Sequence, residues 1–223
     1  PYGDMRCLVP LSALLVAACT PVVEEPALAA EASDDPALFV SNKREGSISR
    51  ISLASGEETG RVPTCANPHE LAVSPDGEHV ALGCYSGREV EIYRTSDLVR
   101  VKRIDLAEGA RPHGLIWHPS GAIVVGGEGR GSIFVVRDPL ADRPEVREIA
   151  SGDEVGPHMV VADRDLTTVW GTVIPSGTVL RFARVSPDGT VADDVAIDSS
   201  ATSKGNTFVA YSESGIDRYL IVY

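Results

Sequence analysis

Asn67-Pro68-His69-Glu70-Leu71-Ala72-Val73-Ser74-Pro75-Asp76-Gly77 decides the fold, because the chain writes it again. Pro112-His113-Gly114-Leu115-Ile116-Trp117-His118-Pro119-Ser120-Gly121 follows, and then Pro157-His158-Met159-Val160-Val161-Ala162-Asp163. The Pro-His pairs begin at 68, 112 and 157, spacings of 44 and 45 residues. A fixed period of that length marks a repeat architecture, with one small supersecondary element per period.

The first complete period reads as four short strands. His69–Ser74 and His79–Tyr85 alternate on either side of Pro75-Asp76-Gly77, a strong hairpin turn. Ser86-Gly87-Arg88 leads to Glu89–Arg94, and Thr95-Ser96-Asp97 turns into Leu98–Asp105, with Val99, Val101, Ile104 and Leu106 as its apolar positions. The next period gives His113–His118, Ala122–Gly127, Ser132–Arg137 and Glu145–Ala150, and the third gives His158–Asp163, Thr167–Thr172, Thr178–Phe182 and Val191–Ile197. Runs such as Ile123-Val124-Val125 suit strands buried on both faces. A lone four-stranded sheet cannot cover both its faces, whereas radial stacking does. The expected fold is therefore all-β, a β-propeller of four-stranded antiparallel blades.

Leu38-Phe39-Val40-Ser41-Asn42, Gly46-Ser47-Ile48-Ser49, Pro68-His69 and Val73-Ser74-Pro75-Asp76-Gly77 resemble the YVTN-type repeat of bacterial propellers, a group similar in turn to the seven-bladed lactonase-like proteins. The likeness runs over about residues 37–200 and weakens in the last period, where Arg164-Asp165 stands where Pro-Asp-Gly is expected. The blades are expected at 37–66 (partial), 67–110, 111–155, 156–203 and 204–223 (partial). About four blades are thus present. The chain enters at a second strand, Leu38–Asn42, and continues with Ser47–Leu53 and Glu58–Val62; at the far end come Asn206–Tyr211 and Asp217–Tyr223. That overruns a ring of four and falls short of six to eight, and a bare apolar edge at Tyr219–Tyr223 would invite pairing. An incomplete ring, an N-terminal piece of a longer protein, is the expectation, with a self-pairing oligomer as the alternative.

The N-terminus reads as an address. Residues 1–4 precede Met5, and Met5-Arg6 opens a basic region before an apolar run from Leu8 to Ala18. Eleven apolar residues are too few to span a bilayer and suit a signal core. The run ends in Leu15-Val16-Ala17-Ala18-Cys19, which resembles the bacterial lipobox, and this resemblance implies lipidation of Cys19. Thr20 after it fits sorting to an outer membrane where there is one. Residues 1–30 are accordingly signal and the start of a tether, and 31–36 an acidic linker. The whole stretch Pro21–Pro36, rich in Ala, Pro, Glu and Asp, has no apolar periodicity.

Composition narrows the partners. With 21 Gly and 15 Pro, long helices are disfavoured. A net charge of −12 and a pI near 4.8 repel phosphate backbones, so nucleic acid is excluded as a partner. Gly126-Gly127-Glu128-Gly129-Arg130-Gly131 looks like a nucleotide loop, but a strand follows it rather than a helix, so it reads as a hairpin turn. Gly-x-Ser-x-Gly, Cys-x-x-Cys and His-Glu-x-x-His are missing from the sequence, and so is Cys-x-x-Cys-His for covalent haem. No cofactor is expected.

His69, His113 and His158 hold equivalent places at the start of the innermost strand, near one mouth of the channel. They could line a ligand or metal site. The favoured reading is structural: Pro fixes the backbone, each imidazole bonds a neighbouring blade, and side chains on successive blades of a wide ring diverge too far for about 2 Å ligand bonds. No metal site is therefore expected. Glu70 and Arg111 stand beside these histidines as loop candidates for ligand binding. Cys65 and Cys84 flank one hairpin and are either bridged or two buried thiols.

The expected function is that of a lipid-anchored cell-envelope propeller, in the periplasm or at the cell surface, binding a protein, peptide or glycan across one face without catalysis. Two alternatives stand beside it. The lactonase-like resemblance implies hydrolysis of sugar lactones, with His69, Glu70, Arg111, His113 and His158 in acid–base and oxyanion roles. The other is a propeller subunit of a periplasmic redox enzyme.

Overall fold

A computed structural model describes residues 32–150 and 156–173 in full and, beyond these, the backbone of four strands. The lipobox with Cys19 lies outside the described residues, and so does Pro187-Asp188-Gly189, where the sequence of the last period has its Pro-Asp-Gly.

The chain is a β-propeller in an incomplete ring, built from antiparallel sheets in sequence order. The first sheet has β1 (Ala37–Asn42), β2 (Ser47–Ser52) and β3 (Glu58–Pro63). A four-stranded blade follows, β4 (Pro68–Val73), β5 (His79–Cys84), β6 (Glu89–Arg94) and β7 (Arg100–Asp105). The next blade is β8 (Pro112–Trp117), β9 (Ile123–Gly127), β10 (Ser132–Arg137) and β11 (Glu145–Ala150). The third is β12 (Pro157–Ala162), β13 (Thr168–Val173), β14 (Thr178–Ala183) and β15 (Asp193–Ile197), and β16 (Thr207–Glu213) pairs with β17 (Ile216–Val222). The strands are those that the sequence pattern outlines, and each inner strand starts one residue earlier, at the proline.

Period-two alternation explains how the sheets stack. On β5, Val80 and Leu82 pack with Ile48, Tyr93 and Leu98 between the first two sheets. Ala81, from the opposite face of β5, joins Val90, Ile92, Ile104, Leu115, Ile123, Val125, Phe134 and Val136 in the next interface. Val124, Ile133 and Val135 face the other way again, against Val160, Val169 and Val173. Each full burial of such a side chain is worth roughly 1.5–3 kcal/mol. Adhesion between blades is therefore the main stabilising term, and a sheet by itself lacks it.

Two apolar positions of the outer strand fall elsewhere than expected. Val99 and Val101 are exposed, and Ile104 is the residue of β7 that reaches the core. Leu98 takes their place, buried at the end of the turn with φ of 56°. A bulge between Ile92 and Tyr93 shifts the register of β7 and turns its alternate side chains outward.

The turns between first and second strands share one form. Gly77 N donates to Ser74 O at 2.9 Å, and Gly121 N to His118 O at 2.8 Å. Where Pro-Asp-Gly is missing, Leu166 N donates to Asp163 O at 3.1 Å with φ of 53°, and the Asp163 carboxylate accepts from the amides of Thr167 and Thr168. A leucine in the left-handed region costs about 1–2 kcal/mol, and burial of Leu166 in the core offsets it.

The acidic stretch is held down before β1 begins. Arg50, fully buried on β2, donates to the carbonyls of Ser33, Asp35 and Thr95. A buried guanidinium without acceptors would be costly, and backbone from residues 33–35 supplies them.

Candidate functional site

The three Pro-His pairs share one backbone device. The residue before each proline is left-handed, with φ of 56° at Asn67, 49° at Arg111 and 84° at Gly156. A bulge follows. Pro68 pairs with Cys84 but Leu71 pairs with Leu82, so His69 and Glu70 together face Gly83. Likewise His113 and Gly114 face Gly126, and His158 and Met159 face Thr172. A bulge of this kind bends the strand and re-aims its side chains. Here it turns successive histidines toward one another.

Close approach of the blades does the rest. A Cβ on Gly114 would stand 2.4 Å from the His158 carbonyl oxygen, and one on Gly126 2.5 Å from that of Pro157. Only glycine fits at those distances. The rings of His69 and His113 consequently lie 4.0 Å apart between centroids, and those of His113 and His158 3.8 Å apart. The expectation that these histidines diverge is corrected: bulge and glycines bring them into one stack. The His113 ring also lies against the next blade through its stack with His158.

Around the stack stand residues that the repeat did not single out. Tyr85 lies with its ring 5.1 Å from His69 and 5.3 Å, edge-on, from His113. Arg111 covers the Tyr85 ring at 4.5 Å and donates to its hydroxyl. Lys43 Nζ is 2.6 Å from His69 Nε2. Glu70 Oε2 accepts from His69 Nδ1 and lies 3.3 Å from His113 Nδ1. Glu128 bonds the Tyr85 hydroxyl, and its Oε2 is buried without a hydrogen-bond partner. His69, Glu70, Arg111, His113 and His158 thus meet in one cluster, with Tyr85 at its centre.

Lys43, Tyr85 and Glu128 are equivalent. Each is the residue directly after a strand, β1, β5 and β9, and each opens a four-residue loop to the next strand. Glu128 belongs to the glycine-rich run, which forms a hairpin turn closed by Gly131 at φ of 60°. The signal that could have found these residues is position, since their types differ. Cys65 and Cys84 form a disulfide beside them, and the buried Glu91 accepts from Cys65 N, Tyr93 and Arg100. The bulge sets Cys84 opposite Pro68.

Burial, and then electrostatic repulsion that a charged ring would meet from His158, His69 and Lys43, push the His113 imidazole down to about 3. Burial lowers His158 too. Both rings are neutral at ordinary pH. Desolvation, with Glu128 beside it, raises Tyr85 and keeps its phenol protonated. The arrangement offers neutral imidazole lone pairs, a carboxylate, and an aromatic ring capped by a guanidinium. Two cavities, of about 670 and 570 Å³, lie instead at Ser33–Ala37 and Arg94–Ser96 and at Pro119–Gly121 and Asp138–Ala141. The first is also lined by Asp76, Glu78 and His79 but holds no stack of rings drawn from successive blades, so the histidine cluster is the candidate site.

No family model matches the chain, and no curated protein matches it. Solved propeller structures do. Hydrazine synthase of Kuenenia stuttgartiensis is similar at a TM-score of 0.61 and 23% identity, over 72% of this chain and 46% of that one. A dihydro-heme d1 dehydrogenase, NirN, in complex with DHE is similar at 0.62 and 16%, over 87% of this chain and 42% of that one. A catalytically inactive virginiamycin B lyase from Staphylococcus aureus with quinupristin is similar at 0.63 and 17%, over 87% and 69%. Identities this low establish the fold alone. The chain spans about half the length of the first structures it matches, 46%, 55% and 42% of them.

Proposed function

We propose that the chain is a lipid-anchored cell-envelope propeller of the YVTN type that binds a protein, peptide or glycan at the histidine end of its blades. The observation that carries this reading is the single cluster of His69, Glu70, Tyr85, Arg111, His113 and His158. Rigid strands hold it, and a preformed surface of aromatic and polar groups binds without a large ordering cost. Cys19 carries the anchor, and the −12 charge repels nucleic acid. A photo-reactive phenylalanine in place of Tyr85 is expected to give a covalent adduct in intact cells, and mass spectrometry then identifies its class. The same group at the exposed Val99 is the control; equal labelling at both, or none at Tyr85, would sink the reading. Cys19→Ala is expected to move the protein from the membrane to the soluble fraction.

A second reading, lactone hydrolysis, is favoured by Glu70 lying between His69 and the neutral His113, a pair fit to move a proton. Turnover of a sugar lactone abolished by Glu70→Gln would establish it, and none by the intact protein would dismiss it.

A further inference from the structure

One ligand atom each of His69, Glu70 and His113 lies within 4.8 Å of the others, and Glu70 Oε2 contacts Nδ1 of both histidines. Glu70 Oε2 already accepts from His69 Nδ1, while His113 Nδ1 is buried without a hydrogen-bond partner. That side chain is only 7% exposed, and Nδ1 points at Glu70 Oε2 from 3.3 Å. A buried polar atom without a partner costs about 1–3 kcal/mol. A cation held between it and the Glu70 carboxylate removes that penalty.

The spacing suits a metal ion. Ligands bound at about 2.0–2.1 Å in a tetrahedron stand roughly 3.3 Å from each other, the distance already found between His113 Nδ1 and Glu70 Oε2. We propose that His69 Nδ1, Glu70 Oε2 and His113 Nδ1 form a site for a divalent transition-metal ion of the zinc class, with a fourth position open to a ligand. Two imidazoles and one carboxylate favour zinc, copper, nickel or cobalt over magnesium or calcium, which take oxygen ligands. The site does not depend on a macromolecule binding the same face.

Loading has a defined proton balance. His69 now accepts from Lys43 at Nε2 and donates from Nδ1 to Glu70. With the metal on Nδ1, the proton sits on Nε2, Lys43 gives up its bond, and the Glu70–His69 contact lengthens to admit the ion. No net proton is released. Lys43 is therefore a competitor of the metal, by its hydrogen bond and by its charge.

Calorimetric titration of the purified full chain with Zn²⁺ tests this. One ion per chain is expected to bind. His69→Gln and His113→Gln should each weaken it by more than the roughly 10–100-fold that losing a hydrogen-bond partner of a metal ligand costs. Lys43→Gln should tighten it, a readout of opposite sign that survives if a histidine variant fails to fold. His79→Gln, in the separate group of Asp76, Glu78 and His79, should change nothing. Absence of binding by the intact chain, binding indifferent to both site histidines and Lys43, or binding lost in the His79 variant would each overturn the site. The photo-crosslinking result is independent of all of these.

Discussion

The histidine end of the blades is written three times in the sequence and the Pro-x-Gly end twice, and the two differ in how their polar groups are satisfied. At the Pro-Asp-Gly end most polar side chains find a partner within a few residues, although His118 Nε2 reaches the Asp163 carbonyl of the next blade and His79 Nδ1 is buried without one. Asp76 accepts from Ser74 Oγ and from the amide of Glu78, Ser74 Oγ accepts from the amide of His79, and Asp163 holds Thr167 and Thr168. At the histidine end partners come from other blades, and the buried Nδ1 of His113, Nδ1 of His158 and Oε2 of Glu128 have none. Of the buried polar atoms left without a partner among the described residues, four lie at the histidine end, Asn67 Oδ1 included, against His79 Nδ1 alone at the turns.

The comparison can be broken most sharply at its glycines. Gly114→Ala puts a Cβ against backbone of the next blade and is expected to cost about 3 kcal/mol or more in urea unfolding. Gly77→Ala meets nothing within 4 Å and strains only a φ of 79°, for about 1–2 kcal/mol. Equal costs would mean that the blades are not in close contact at the histidines. Opening the Cys65–Cys84 bridge, with its 19-residue separation, is expected to cost about 3 kcal/mol, read as a lower melting temperature under reductant.

Acid separates the two ends along the pH axis. The folded pKa of His113 lies at about 3 and its unfolded value near 6.5, so the unfolded chain binds the extra proton between them. Its contribution is complete above pH 6.5 and is lost as pH falls toward 3. Asp76 is lowered from 3.8, first by Ser74 and then by the Glu78 amide, so its contribution fades only below that value. His113→Gln should therefore flatten the stability profile between pH 6.5 and 4, and Asp76→Asn should leave that window unchanged. The smallest effect is expected from Ser74→Ala, about 1 kcal/mol by chemical denaturation, from hydrogen bonds that water largely replaces.

Much of this was legible in advance, for identifiable reasons. Strand and turn positions follow from residues that recur, so Val73-Ser74-Pro75-Asp76-Gly77 and the Pro-His pairs give the blades directly. The convergence of the histidines was not legible, because a bulge is one extra residue in a register and leaves no composition behind. Lys43, Tyr85 and Glu128 escaped because equivalence of place was masked by difference of type. Leu98 and Leu166 escaped since left-handed backbone at a leucine is decided by packing, not by preference. Exposure of Val99 and Val101 has the same origin as the histidine stack, a bulge that shifts alternation.

Equivalence of Lys43, Tyr85 and Glu128 also says how such a face can diversify. Duplicating a blade hands the copy a histidine already set into the row, together with one neighbouring slot whose side chain no hydrophobic interface specifies. Selection can then rewrite a cation as a phenol or a carboxylate in single steps, while the architecture that presents it is inherited intact.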